Sequence, residues 1–312
     1  MPVEKHEEIH GRDRKGRSKG DGLISTGYAP RLPQMKQPLN KTLLVAIAAA
    51  QAAGDLMRRN FHSPKKINEE IQHDIKLELD VRCQKLIERI VLKAFPATAV
   101  LGEEGTVGDL GAAFRWVVDP IDGTVNFAYG IPHACVSIAL QRRIAPTAGG
   151  TVDPTGADFT TVLGVVYDPF CDEMWTATIN GPARLNGRKI SVSARTRLRE
   201  AIVAIGFAKY KWSMSATLPI FDTLIRRVRK VRIMGSAALA LTYVASGRMD
   251  AYLEGGIRLW DIAAGGLILE RAGGDFWHRP LPGREFSYEL NASNGPMRKL
   301  IQRLARRPAS SK

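Results

Sequence analysis

The chain has 312 residues, of which 45% are apolar and 24% are charged, with 29 glycines and 17 prolines. These values are close to those of soluble globular proteins, so they exclude a fully disordered chain, a collagen and a coiled coil. The net charge of +14 is unusual for such a chain; alone it would indicate a nucleic-acid or anionic-surface partner, and the location of the charge along the chain must decide.

The two ends of the chain carry most of this charge. Residues 1–41 have nine Lys and Arg against five acids, and residues 298–312 have six cations and no acid. The 256 residues between them carry only +4. Residues 1–38 also lack apolar periodicity and are rich in Gly and Pro. We therefore predict a flexible basic extension over 1–38 and a basic tail over 301–312.

The first half of the chain predicts two helices and then a series of strands. Apolar residues at helical spacing predict helices over Leu39–Phe61 and Asp80–Phe95. Short runs of β-forming residues predict strands at Ala99–Leu101, Phe114–Val118, Ala134–Leu140, Val162–Tyr167 and Glu173–Thr178. The segment Arg142–Thr160 predicts a long surface loop, and Asn186-Gly187 predicts a hairpin turn.

Strands and helices alternate in the second half of the chain. The predicted strands are Ala201–Gly206, Val231–Met234 and Met249–Leu253, and the predicted helices are Ser215–Val228, Ser236–Ser246 and Asp261–Ala272. Such alternation is typical of layered α/β proteins. We predict a boundary near residue 195, which separates an α+β subdomain over 39–194 from an α/β subdomain over 195–300.

The cysteines indicate the cellular compartment. Cys83, Cys135 and Cys171 are odd in number and far apart, so neither a disulfide framework nor a zinc motif fits them. No run reaches the ~18 apolar residues of a membrane span, and the N-terminus has no secretory signal core. We expect a cytoplasmic protein with free thiols and no membrane partner.

One motif combines carboxylates with a tight turn. The apolar run Trp116–Val118 leads into Asp119 and Asp122, and Gly123 and Thr124 follow directly. A strand end can direct both carboxylates to one point, which suits Mg²⁺, and backbone N–H groups after them suit a phosphate oxygen. The same residues also fit a solvated turn with a capping aspartate. This motif alone leaves a metal site and a turn equally open.

Two further acidic motifs stand where a predicted element ends or begins. Glu103 and Glu104 follow the strand Ala99–Leu101, and Asp261 opens a helix. Taken singly, the first fits an acidic surface loop and the second fits a helix N-cap. Together with the previous motif they predict one site, because sites in layered α/β proteins form at the ends of strands and helices.

These motifs together resemble the signature blocks of the inositol monophosphatase family. The matching segments are Leu101–Glu104, Trp116–Phe127, Gly235–Ala238, Gly247–Glu254, Trp260–Gly265 and Ala272–Gly274. They follow one another in the family's order over about residues 39–295. The resemblance implies a layered αβαβα sandwich of the type shared with fructose-1,6-bisphosphatase. It also implies Mg²⁺-dependent hydrolysis of a phosphate monoester.

The resemblance also implies a role for each matching residue. The implied ligands of two or three Mg²⁺ ions are Glu103, Asp119, Asp122, Asp261 and the backbone carbonyl of Ile121. Glu103 and Thr124 are the implied catalytic residues, which orient the attacking water. Implied substrate contacts are Asp122, Gly123, Thr124, Gly235, Ser236, Ala237, Glu254 and Asp261. Asp80 is implied just outside the metal shell; many relatives have a lysine about eleven positions earlier, where this chain has Glu69.

The motifs identify the substrate less closely than they identify the metal site. We expect inositol monophosphate, hydrolysed to inositol and phosphate by metal-activated water. Fructose-1,6-bisphosphatase, histidinol-phosphatase and nucleotide-3′-phosphatase are alternatives on the same metal core. Residues of the rim, Glu254, Arg258 and Lys209–Trp212, would distinguish them. The basic tails are typical of solvated chain ends. An alternative from another functional class is an RNA-associated regulatory protein that uses these tails. The resemblance also implies a homodimer.

Overall fold

The computed structural model describes residues 38–71, 74–144, 158–208 and 211–305, all of which belong to one compact unit. Most of the predicted basic extension, the middle of the predicted long loop, and residues 306–312 of the basic tail lie outside these ranges. The helices are α1 (Leu39–Asn60), α2 (Glu78–Ala94), α3 (Thr124–Ala128), α4 (Lys211–Ile225), α5 (Ala237–Ala245), α6 (Leu259–Arg271) and α7 (Pro296–Ala305).

The strands form a hairpin and two larger sheets. The hairpin pairs β1 (Ile67–Ile71) with β2 (Asp74–Leu77). The strands of the first large sheet are β3 (Ala99–Gly102), β4 (Gly105–Val107), β5 (Phe114–Asp122), β6 (Cys135–Arg143), β7 (Phe159–Asp168), β8 (Glu173–Thr178), β9 (Arg184–Leu185) and β10 (Arg188–Lys189). Those of the second are β11 (Ile202–Ile205), β12 (Lys230–Arg232), β13 (Ala251–Arg258), β14 (Asp275–Pro280) and β15 (Ser287–Ser293).

Helices and sheets alternate in five layers. Helices α1 and α2 pack on one face of the eight-stranded sheet, whose strand order is β10-β9-β8-β7-β6-β5-β3-β4. Helices α5 and α6 lie between that sheet and the five-stranded sheet, ordered β12-β11-β13-β15-β14, and α4 and α7 cover its outer face. This arrangement confirms the expected αβαβα sandwich.

Strand β5 shows how the sequence builds two cores at once. All nine of its residues are buried, as expected for a strand covered by helices on both faces. Trp116 and Val118 pack into the core beneath α1 and α2, whereas Val117 packs into the core around α5 and α6. The strand therefore holds its carboxyl end firmly, and Asp119 and Asp122 lie at that end.

The predicted elements are present, with shifts at their ends. Helix α2 begins at Glu78, before the predicted Asp80, because the Asp80 carboxylate accepts a hydrogen bond from the Leu77 backbone N–H at 2.7 Å and closes the first turn. Asn186-Gly187, both at positive φ, form the turn between β9 and β10 as predicted. Strand β12 ends at Arg232, two residues before the predicted Met234.

The sequence did not predict strands β1, β2, β4, β14 and β15. Strand β15 lies between β13 and β14; its inner face packs Tyr288, Leu290 and Ala292 into the core around α5 and α6, and its other face buries Ser287, Asn291 and Ser293. All strands of the eight-stranded sheet precede residue 190, and all strands of the five-stranded sheet follow residue 201. The division into subdomains near residue 195 stays a prediction. Within the described ranges, no helix combines the length and the hydropathy that crossing a bilayer requires.

Candidate active site

Four carboxylates from distant parts of the chain meet at the ends of secondary-structure elements. Strands β3 and β5 are parallel, and the Glu103 backbone N–H donates to the Val118 carbonyl at 3.1 Å, which sets Glu103 next to Asp119. Asp122 is the last residue of β5, and Asp261 lies in the first turn of α6. All four side chains line one cavity of about 330 Å³.

This cavity gathers nearly all the residues that the sequence singled out. Its lining includes Glu103, Asp119, Ile121, Asp122, Gly123, Thr124, Gly235, Ser236, Ala237, Glu254 and Asp261. Asp80 is buried outside the cavity and contacts its wall through Thr124. The structure therefore brings these residues together, while the role of each stays a proposal. Of the predicted rim, Arg258 lines the cavity, and Lys209 and Tyr210 lie outside the described residues.

The start of helix α5 holds the Asp122 carboxylate. Its Oδ2 accepts hydrogen bonds from the Ser236 hydroxyl at 2.6 Å and from the Ala238 backbone N–H at 2.7 Å. The Ala237 backbone N–H donates to the other oxygen at 3.1 Å. Backbone N–H groups at a helix start favour negative charge, so this contact stabilises an ionised Asp122 against its burial. Asp122, a predicted metal ligand, therefore positions Ser236 and Ala237, which the sequence predicted to contact substrate.

Thr124 connects the cavity to Asp80. Its hydroxyl lies 2.8 Å from the Ile121 carbonyl oxygen and 3.3 Å from Asp80 Oδ1, so it can donate to either. Burial raises the pKa of Asp80 to about 7, and the nearby charge of Glu104 adds to the effect. Glu69, at the position of the family's lysine, is exposed on β1 opposite Lys76. The hydrogen bonds from Leu77 and Thr124 therefore support Asp80 here.

Gly123 occupies a place where only a glycine fits. Its φ is +96°, and a Cβ atom would lie 2.9 Å from the His133 carbonyl oxygen. The Asn126 side-chain amide donates to that carbonyl and to the Met234 carbonyl, both at 2.9 Å. Asn126 thereby ties α3 to the loop that precedes α5, and it also lines the cavity. The sequence analysis gave it no role, although it lies inside a matching segment.

Glu254 and Tyr252 line the same cavity as the four carboxylates. They are two residues apart on β13, so they point to the same face of the sheet, and both line the cavity. The Tyr252 hydroxyl donates to Glu254 Oε2. Burial raises the pKa of Glu254 to about 7, although this hydrogen bond opposes the change. The i, i+2 spacing could have identified Tyr252 from the sequence.

The donor set fits divalent cations. Burial raises the pKa of Asp119, and the charges of Glu103 and Asp122 raise it further. The pKa of Asp261 is raised by burial and by the same two charges. No Lys or Arg of the described ranges forms a salt bridge with Asp119, Asp122 or Asp261. Oxygen ligands that repel one another and lack a cationic side chain are the ligands that Mg²⁺ prefers.

The carboxylates are near one another without being in coordination geometry. No three acidic, histidine or cysteine side chains of the described residues lie close enough to hold an ion as they stand. Ionised carboxylates this near one another repel, since like charges at short range raise the free energy of the ionised group. A bound cation would remove that repulsion. The residues present therefore fit the metal that the sequence predicted.

Comparisons with known proteins agree with the fold and the cavity. The family model described as the inositol monophosphatase family matches residues 39–162 and 157–295. Inositol monophosphatase 2 of Solanum lycopersicum is 39% identical over 240 residues, 74% of this chain and 84% of that protein. Nus factor SuhB of Xylella fastidiosa is 36% identical over 233 residues, 74% of this chain and 79% of that protein.

A solved structure extends the likeness to three dimensions. The extragenic suppressor protein suhB of Bartonella henselae superposes with a TM-score of 0.74 at 30% identity, covering 86% of this chain and 99% of that one. Fold and relatives together define the protein as a phosphoric monoester hydrolase of the layered αβαβα class. The chain belongs to the inositol monophosphatase family.

Proposed function

We propose that the protein hydrolyses a small phosphate monoester with Mg²⁺ in the cavity described above, and that inositol monophosphate is its substrate. The observation that carries the proposal is the convergence of Glu103, Asp119, Asp122 and Asp261 on one cavity beside Gly123 and Thr124. Its volume of about 330 Å³ is at the small end of ligand pockets, which range over about 300–1,000 Å³. A phosphorylated ring of inositol size suits such a space.

Each side chain has a distinct task in this reaction. Asp119, Asp122, Asp261, Glu103 and the Ile121 carbonyl would hold Mg²⁺, the number of ions being two or three. When bound, the metal supplies neutralisation of the phosphate charge and a lowered pKa for a water molecule. The Glu103 carboxylate and the Thr124 hydroxyl would orient the attacking water towards phosphorus. The backbone of Gly123 and Thr124 cradles the phosphate, because both residues line the cavity without a bulky group at position 123.

Glu254 favours an uncharged alcohol over a second phosphate. Its carboxylate accepts a hydrogen bond from Tyr252 through Oε2 and lines the cavity. A substrate hydroxyl can donate to the remaining oxygen, whereas a phosphate there would meet a like charge. The nearby Arg258 guanidinium donates to the Glu285 carbonyl and the Ser287 hydroxyl, both at 2.8 Å, which directs it towards β15. These contacts support inositol monophosphate over fructose bisphosphate.

The first test is a substrate panel. Phosphate release would be measured from inositol monophosphate, fructose-1,6-bisphosphate, histidinol phosphate and adenosine 3′,5′-bisphosphate, each with and without Mg²⁺ and with added Li⁺. We expect the highest kcat/KM for inositol monophosphate and no turnover without a divalent cation. A higher value for either bisphosphate would refute the substrate, and no release from any ester would refute the activity.

A matched pair of variants tests the site. Asp261→Asn keeps an oxygen that can accept the Arg258 backbone N–H, now at 2.9 Å, so the helix start should persist. We expect kcat/KM to fall at least about 100-fold, as losses of groups that hold a metal do. Asp222→Asn, on the exposed face of α4, is the control and should keep wild-type turnover. Near-normal turnover in folded Asp261→Asn would contradict the assignment. The homodimer remains a proposal from the family resemblance, and the cytoplasmic location remains a proposal from the cysteines and the apolar pattern of the sequence.

A further inference from the structure

Positive charge is also concentrated on the surface of the folded body, away from the two chain ends. The segment 226–232 connects α4 to β12 and holds five cations in seven residues: Arg226, Arg227, Arg229, Lys230 and Arg232. All five are exposed, while Val228 and Val231 between them pack towards the core under α4 and α7. Strand β12 is the edge of the five-stranded sheet, so these cations face solvent along a free edge.

A neighbouring segment adds to this surface. The Arg229 and Lys230 backbone N–H groups donate to the Ala201 carbonyl at 2.9 and 3.4 Å, and Lys230 stands opposite Ile202 in the parallel pair of β11 and β12. Arg199 lies two residues before Ala201 and is exposed. We call the basic patch the set Arg199, Arg226, Arg227, Arg229, Lys230 and Arg232.

Most of the patch has no acidic counterpart. Arg226 pairs with Asp222 at 2.7 Å on the exposed face of α4. Within the described ranges, Arg199, Arg227, Arg229 and Lys230 form no salt bridge. Uncompensated cations held this close repel one another, and a polyanion that binds them releases its own counterions as well. The patch therefore has the charge of an anion-binding surface.

We propose that the basic patch binds the phosphate backbone of a nucleic acid without reading its bases. Five of its six cations are arginines, whose planar guanidinium groups match phosphate oxygens with two parallel hydrogen bonds. None of the six lines the cavity, although Ile233, which follows Arg232, does, so the patch adjoins the phosphatase site without contributing a side chain to it. The two functions can therefore be tested independently.

The composition of the patch argues against a lipid bilayer as its target. Binding at a bilayer surface needs apolar side chains that insert next to the cations, typically including aromatic ones. Segment 226–232 has no aromatic residue, and the exposed apolar neighbours are Ile225 and Ile233, at 50% and 60% exposure. Two isoleucines offer little insertion area. Anionic vesicles are nevertheless the alternative that the experiment must separate.

The test is the salt dependence of RNA binding by the full chain. Fluorescence anisotropy with a 20-nucleotide single-stranded RNA would compare wild type with the triple variant Arg227→Gln, Arg229→Gln, Lys230→Gln. Each lost phosphate contact should lower the slope of log K against log salt by about 0.7. The triple variant should therefore bind about 100-fold more weakly at 0.1 M salt, with a slope smaller by about 2.

Two control variants remove the same charges elsewhere. Arg184→Gln, Arg188→Gln, Lys189→Gln alters the exposed β9–β10 hairpin, and Arg306→Gln, Arg307→Gln, Lys312→Gln alters the C-terminal tail. Every variant should keep wild-type phosphatase activity, which shows that it is folded. We expect both controls to bind RNA within about threefold of wild type.

Three outcomes would overturn the proposal. An equal loss in the hairpin control would show that net charge alone drives binding. A loss confined to the tail variant would place the contact in the tail. Binding to phosphatidylserine vesicles that disappears in the patch variant, with no RNA binding by the wild type, would assign the patch to a bilayer.

Discussion

Replacing Glu254 with Gln should stabilise the protein at alkaline pH while it weakens substrate binding. The carboxylate lies on β13 beside Tyr252, which donates to it, and burial raises its pKa to about 7 from the usual 4.5. The folded protein therefore binds this proton more tightly than the unfolded chain does. Stability from this group is complete below the unfolded pKa and is lost as the pH rises through about 7.

The size of the effect follows from that interval. A difference between about 4.5 and about 7 corresponds to about 3 kcal/mol at 1.36 kcal/mol per pH unit. Glu254 keeps some contact with the water of the cavity, so we expect about 1–3 kcal/mol. Glutamine does not ionise, and its carbonyl oxygen can still accept the Tyr252 hydrogen bond. The variant should therefore lack this loss of stability.

Urea unfolding in metal-free buffer at pH 5 and pH 8 measures this directly. At each pH, the free energy of unfolding of wild type is subtracted from that of Glu254→Gln. This difference should be about 1–3 kcal/mol higher at pH 8 than at pH 5. Glu69→Gln, on the exposed strand β1, is the matched control and should show almost no such difference. If Glu254→Gln follows the pH dependence of wild type, the raised pKa is wrong. Its KM for inositol monophosphate should rise, because a neutral acceptor binds a hydroxyl more weakly.

Two further substitutions test the wall of the cavity. Thr124→Val removes the hydroxyl near the Ile121 carbonyl and Asp80, so kcat should fall by about tenfold or more in steady-state assays. An unchanged kcat would show that Thr124 has no catalytic role. Gly123→Ala places a Cβ against a backbone carbonyl at φ +96° and should cost about 1–3 kcal/mol in urea unfolding. Gly130→Ala, at φ +72° with open space around its Cβ position, is its control and should cost less.

The sequence predicted the site better than it predicted the sheets. Carboxylates at strand and helix ends signalled the cavity, because the strand ending at Asp122 and the helix opening at Asp261 are both strongly apolar and easy to locate. Strand β15 was missed although Tyr288, Leu290 and Ala292 alternate on its inner face, because the strand has no β-branched residue and includes glutamate and asparagine, which are depleted in strands. The hairpin β1–β2 was missed because its charged residues match no pattern of a buried strand.

A side chain that binds distant backbone groups was also not recognisable from the sequence. Asn126 contributes by donating to two carbonyls, one of them 108 positions away at Met234, and no local pattern encodes such a contact. The charge analysis had the same limit. Counting by position assigned the cations to the two ends and overlooked the run 226–232; it also could not show that folding joins Arg229 to Ala201, two residues after Arg199. Spatial clustering, and not the total charge, decides what such cations can bind.

The acidity of the cavity constrains the order of events there. The charges of Glu103 and Asp122 raise the free energy of the ionised forms of Asp119 and Asp261, and a phosphate ester adds further negative charge to the same space. At an effective dielectric constant of about 20, two unit charges 4 Å apart repel by about 4 kcal/mol. If this cavity is the phosphatase site proposed above, the phosphate should enter it only when these carboxylates have been neutralised. A requirement for Mg²⁺ should thus be visible in substrate binding as well as in turnover, because the same residues govern both.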